Sequence, residues 1–227
     1  MSIPELFSQT PATHHIYLMR HGESEGNLQG IMQGRRDYPL TERGRTQAEA
    51  AANWFQNRAI DLVLSSPQTR ALETARIVHR SICPPDRELP LHTLEDLSEV
   101  DLGCFSGLTR QDAAIQFPEL ARRVQIETWD AVPDAEHSDR LRERAVRVWE
   151  RIIIELGNRR NMLVVSHGGF LQWLIKTSMG ADDTRWNLRF HSSNCGIHEC
   201  ALMRRSAEHV ILEWNRINMV ASSTGGV

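Results

Sequence analysis

Three short apolar runs set the limits on how this chain can fold: "IYLM" at 16–19, "DLVLSS" at 61–66 and "NMLVVS" at 161–166. Each is rich in strand formers and too short for a helix, so each reads as a buried strand. Helical patterns lie between them. "TERGRTQAEAAANWFQ" opens on Thr41, a capping residue, and continues in strong helix formers. After the second run, Pro67 is placed as the first helical residue of "QTRALETARIVHRS". "HSDRLRERAVRVWERIIIEL" carries Leu141, Ala145, Val148, Ile152 and Leu156 at helical steps, which predicts an amphipathic helix. "GGFLQWLIKTSMG" follows the third run and ends on a glycine. Late in the chain "GIHECALMRR" and "HVILEWN" have strand composition, with Ser206-Ala207-Glu208 as the turn of a hairpin.

Strand and helix alternating in this way predict an α/β fold. The expected architecture is a three-layer α/β/α sandwich around a mainly parallel, mixed central sheet. No repeat or linker divides the 227 residues, so one domain is expected over 14–227, after a flexible N-terminal arm at 1–13. The stretch from about 103 to 137 is the least regular and is expected to act as a lid or specificity segment. Within it, Arg122, Arg123 and Trp129 are candidates for substrate contact, against the alternative of a solvated helix face and a packing aromatic.

A net charge of −3 offers no broad attraction to nucleic acid or to an anionic membrane, so neither is expected as a partner. No run is long enough for a membrane span, and the first fifteen residues lack the apolar core of a signal peptide. The four cysteines form no CxxC pair. A reduced, cytoplasmic setting is expected, with no disulfide scaffold and no zinc cluster. Cys195 and Cys200, five apart on expected strand, point to opposite faces and do not make a metal pair.

Chemistry gathers where the apolar runs end. Arg20-His21-Gly22 follow the first run, Ser65-Ser66 close the second, and Ser166-His167-Gly168 end the third. In open α/β sheets ligands bind outside the carboxyl ends of the strands, so these residues are expected at one crevice. His21 can serve as nucleophile or base near neutral pH. Arg20 and Arg70 are permanent cations whose planar forks suit phosphate oxygens. Gly168 and Gly169 open a helix whose N-terminus favours anions, and Asn27 adds a polar contact. A cation-rich pocket of this kind also keeps an attacking imidazole neutral.

"RHGESEGN", "LSSPQTRALETA", "LSEVDLGCFSG" and "VVSHGG", in this order, resemble the motifs of the histidine phosphatase superfamily, also called phosphoglycerate mutase-like. The resemblance runs from about Ile16 to about Trp214. It implies that His21 is phosphorylated, that Arg20 and Arg70 clamp the phosphoryl group, and that His167 completes the pocket. It implies a phosphoryl contact for Asn27 and a substrate-side loop at Gln33-Gly34. It assigns proton transfer to Glu99, which spacing to Gly103 favours over Glu95, Asp96 and Asp101. It implies no metal and no cofactor, a small-molecule phosphate ester as partner, and no particular oligomeric state. Where many relatives carry Gly-Glu-Ser, this chain has Ala135-Glu136-His137.

The expected activity is hydrolysis of a small phosphomonoester, a sugar phosphate or related metabolite, through phosphohistidine. The alternatives are mutase-type phosphoryl transfer and a catalytically silent binding relative. Ser24-Glu25-Gly26-Asn27 and Gln33-Gly34-Arg35 resemble the phosphatase branch rather than the glycolytic mutases. A zinc hydrolase built on His21 and His167 lacks a carboxylate-bearing ligand set. Neither GxGxxG nor GxxxxGK[ST] occurs, which disfavours a nucleotide-binding fold.

Overall fold

The computed structural model describes residues 13–126, 129–180, 188–206 and 210–221. The proposed arm therefore lies outside the described residues apart from Thr13, as do Ala207 and Glu208 of the late turn and His209. Six strands form one mixed sheet. They are β1 (His14–Arg20), β2 (Leu62–Ser65), β3 (Leu91–Thr93), β4 (Asn161–Ser166), β5 (Ile197–Arg204) and β6 (Val210–Met219). The order across the sheet is β3-β2-β4-β1-β5-β6. The first four strands run parallel to their neighbours, and β5 and β6 are antiparallel.

The side-chain period of two divides the apolar strands between two cores. Ile16, Leu18, Leu62, Leu64, Met162 and Val164 face one side. They meet the apolar stripe of α6 (Ser138–Leu156) and the body of α7 (Gly168–Ser178). Tyr17, Met19, Val63, Leu163 and Val165 face the other side, against α2 (Glu42–Phe55) and α3 (Thr69–Ile82). Helices thus cover both faces, as the alternation predicts. α2 and α3 present alanines to this core, Ala48, Ala51 and Ala52 from one and Ala71 and Ala75 from the other. Thr41 caps α2, accepting from the Gly44 amide at 3.0 Å.

Several details depart from expectation. α3 begins at Thr69 with Gln68 as its cap, so Pro67 lies ahead of the helix rather than at its first position. Cys195 precedes β5, in a turn where its φ is +53°, and is not on a strand. It nonetheless packs in the α2–α3 core while Cys200 packs in the opposite one. β3 went unpredicted because three residues carry no period. The four-residue helix α1 (Glu25–Leu28) did too, although Ser24 and Asn27 close a capping box around it.

The 103–137 stretch is more regular than its composition indicates. It holds α4 (Arg110–Gln116) and α5 (Pro118–Ile126), with single 3₁₀ turns on either side. Helices this short span about two turns and show little periodicity. Thr109 and Asp112 form the capping box that starts α4. Phe105, Ala113 and Val132 anchor a third, smaller apolar cluster here.

Trp149 on α6 is fully buried, and its Nε1 donates to the Leu174 carbonyl of α7 at 2.9 Å. Trp149→Ala should lower unfolding free energy by about 3–5 kcal/mol. A denaturant midpoint unchanged from the parent would contradict this role.

Candidate active site

The register of the sheet places the site. Arg20 pairs with Ser166, so β1 and β4 end level, and β2 ends one residue short of them, with Ser65 beside Val165. The residues that follow, His21, His167 and Ser66, come out side by side. The rings of His21 and His167 lie 5.1 Å apart, centroid to centroid.

His21 is held in one tautomer. Its Nδ1 lies 2.6 Å from the Gly22 carbonyl, which can only accept, so Nδ1 carries the proton and Nε2 keeps its lone pair. Arg70 Nε donates toward that Nε2 at 3.2 Å. Burial first, and then the charges of Arg20 and Arg70, hold His21 well below the ordinary imidazole range. Burial likewise depresses His167, followed by Arg70, His21 and Arg20. Both rings are neutral at pH 7. Gln68 N–H donates to Ser66 Oγ, which lies 2.8 Å from His167 Nε2.

The arginines are held by backbone carbonyls. Arg70 donates to the carbonyls of Gly34 (3.0 Å) and Arg36 (2.9 Å), and Arg20 to that of Ser192 (2.8 Å). Gly34 takes φ of +53°, a conformation glycine adopts without strain. Asn27 Oδ1 accepts from the Ser24 amide and from Asn194 Nδ2, so its own NH₂ remains to donate elsewhere. Gln33 is buried with its Oε1 at Ser24 Oγ, 2.9 Å away.

Glu99 sits on the N-terminus of α7. Its carboxylate accepts from the amides of Phe170 (2.9 Å), Gly169 (3.2 Å) and its neighbour Val100 (2.9 Å). A Cβ on Gly169 would stand 2.6 Å from Glu99 Oε1, so glycine there is what admits the carboxylate. The helix end expected to hold an anion thus already holds Glu99. Gly168 lies against the Arg20 guanidinium rather than on the cavity wall.

Arg20, His21, Asn27, Gln33, Gly34, Arg70 and Glu99 all line one cavity of about 340 Å³. His167 is fully buried beside His21 and is not on the cavity wall. Arg20 Nε and His167 Nδ1 are buried with no hydrogen-bond partner, and so is Oε1 of Gln172 on the cavity wall. The unmet N–H of Arg20 beside His21 suits an oxygen of a tetrahedral anion. Among the described residues no group of three or more His, Cys, Asp or Glu is placed to hold a metal ion. Among the described residues, too, no helix is long and apolar enough to cross a membrane.

Trp129 lines the cavity, whereas Arg122 is exposed, pairs with Glu119 and does not reach it. Arg123 is also exposed and off the cavity wall. Glu136, from the altered Ala-Glu-His stretch, forms a two-pronged pair with Arg144 at 2.7 Å on each side. Arg144 in turn donates to the carbonyls of Asp96 (2.9 Å) and Ser98 (2.6 Å), which fixes the turn that carries Glu99. Ser66 stands at the crevice as expected, whereas Arg144, Gln68 and Asn194 are not among the expected site residues. Arg144 is one of several arginines on α6, and only its burial sets it apart. Gln68 links the Gly34 carbonyl to the Glu99 amide, and its place next to "SSP" was the available signal.

The family model described as histidine phosphatase superfamily (branch 1) matches residues 16–216. The 2-carboxy-D-arabinitol-1-phosphatase of Triticum aestivum is 33% identical over 80% of this chain, which covers 35% of that protein. The chain spans less than half the length of the plant relatives it matches. The adenosylcobalamin/alpha-ribazole phosphatase of Escherichia coli (strain K12) is 31% identical, over 77% of this chain and 84% of its own length. A 2,3-bisphosphoglycerate-dependent phosphoglycerate mutase of Mesorhizobium japonicum is 32% identical, over 70% and 79%. A solved mycobacterial glucosyl-3-phosphoglycerate phosphatase shares the fold, with a TM-score of 0.78 at 23% identity over 90% of this chain and 99% of that one. With the match running from the first strand to the last, the chain belongs to the histidine phosphatase superfamily.

Proposed function

We propose that the protein is a metal-independent phosphatase that hydrolyses a small phosphomonoester, a sugar phosphate or related metabolite, through phosphohistidine on His21. The observation that carries this reading is the His21 tautomer. Nε2 keeps its lone pair, touched by Arg70 Nε at 3.2 Å, and His21 lines a cavity together with Arg20 and Arg70. In the first step Nε2 attacks phosphorus in line and the P–O ester bond breaks. Glu99 gives its proton to the departing oxygen. Arg20, Arg70, Asn27 and His167 hold the equatorial oxygens. In the second step water attacks phosphorus, its proton returns to Glu99, the P–N bond breaks, and inorganic phosphate leaves. The surrounding arginine charges disfavour a divalent cation at the same place. The segment at about 103–137, which lines the cavity through Arg110 and Trp129, is the proposed specificity element. The four free cysteines favour a reducing, cytoplasmic setting.

The mutase reading draws on the relative of that name, and Gly26-Asn27 and Gln33-Gly34-Arg35 weigh against it. A mutase returns an isomerised ester and a phosphatase releases inorganic phosphate, so a phosphate-release assay separates them. A silent binding relative releases none.

His21→Ala should abolish phosphate release and the acid-labile phosphate trapped on the wild-type protein during turnover. Persistence of either would remove His21 as nucleophile. Glu99→Gln should slow esters of poor leaving groups at least tenfold more than aryl esters of good ones. Equal losses for both would dismiss Glu99 as the acid.

The depressed histidines also set a pH dependence. Below about 6.5 the unfolded chain takes up protons that folded His21 and His167 refuse, so stability is lost as pH falls. Each contributes up to about 1.4 kcal/mol per pH unit until its own folded value is reached. Urea midpoints should fall between pH 6.5 and 5, and less steeply in His167→Gln. A flat profile in the parent protein would count against two buried neutral rings.

A further inference from the structure

The catalytic cavity does not end at the phosphate site. A second chamber of about 310 Å³ adjoins it, and Met32, Arg110, Trp129 and Arg189 line both. The two spaces therefore meet across one shared wall. On its far side Phe105, Ala113, Ala121 and Val124 give the chamber an apolar face, opposite the polar Gln125, Arg110 and Arg189. Trp129 stands edge-on to Phe105, with centroids 6.0 Å apart and planes at 86°.

The helices α4 and α5 build this chamber by facing small side chains inward, so it has room for a ring-sized group. Arg110 lies at the passage between the chambers. Among the described residues it has no ion-pair partner, and a guanidinium there can lie over the face of an aromatic ring. A phosphoryl group fills only part of the first cavity. An alcohol too large for the space that remains would continue past Trp129 into the second chamber.

We infer that the substrate is a phosphomonoester whose alcohol carries an apolar, ring-sized body, seated in the chamber lined by Phe105, Ala113, Ala121, Val124 and Trp129. This rests on the phosphomonoesterase reading and adds to it a substrate class. Specificity then comes from burial of the far end, while the phosphate end is common to all substrates.

The test compares two primary-alcohol esters that share their hydroxylated carbon next to the ester: glycerol 1-phosphate and 3-phenoxy-2-hydroxypropyl phosphate. The phenoxy ester should have a kcat/KM roughly ten- to hundred-fold higher, the gain that burying one phenyl-sized group provides. Ala121→Trp, which fills the chamber, should bring the ratio of the two esters close to one. Ala114→Trp, at a more exposed position on the same wall, serves where Ala121→Trp does not fold. A ratio near one in the unaltered protein overturns the inference, as does a ratio that neither variant lowers. If neither ester is hydrolysed, the phosphatase reading falls. The chamber is then judged by calorimetry with the matched phosphonates. At least tenfold tighter binding of the phenoxy compound sustains it, and equal binding overturns it.

Discussion

Two arginine side chains drawn in beside one neutral imidazole set the terms for the whole site. A charge taken out of water is costly, and most proteins offset it with a carboxylate. Here the closest partners are backbone carbonyls: Gly34 and Arg36 for Arg70, Ser192 for Arg20. Carbonyl oxygens meet several of these N–H groups, leaving Arg20 Nε unpartnered, and they leave the positive charge in place. The pocket therefore carries an electrostatic excess that a dianion answers. The same excess keeps protons off His21. Attraction for an anion and a neutral imidazole at His21 follow from a single arrangement.

That arrangement is built from distant stretches of chain. The carbonyl clamps come from the loop after α1 and from the turn before β5. Asn194 in that turn donates to the His21 carbonyl and to Asn27. Arg144 and Glu136 tie the Glu99 turn to α6. The site is thus gripped from both faces of the sheet. A small shift in either helical layer changes the geometry at phosphorus.

The parts that were legible in the sequence were those with a local signature. Strands β1, β2 and β4 announce themselves by apolar runs, and His21, Arg70 and His167 by their place after such runs. What stayed hidden depends on tertiary contact. Nothing local distinguishes Arg144 from Arg140 or Arg147 on the same helix. Asn194 lies in a turn whose partner is more than a hundred residues away. Helices α4 and α5 were lost among irregular residues because two turns leave too few positions to reveal a period. The apolar chamber they form has no counterpart in any single stretch, since its wall joins Met32 to Trp129 and Arg189.

The seat of Glu99 has a consequence for how this protein trades durability against activity. Active-site groups commonly weaken the fold that carries them, and removing them often strengthens it. Glu99 is placed the other way. It satisfies two otherwise orphaned amides at the start of α7, the helix whose Phe170, Leu171 and Leu174 fill one core. A sequence drifting toward greater robustness has no incentive to discard this carboxylate. Its retention in a lineage can therefore reflect the needs of the scaffold even where catalysis is no longer under selection.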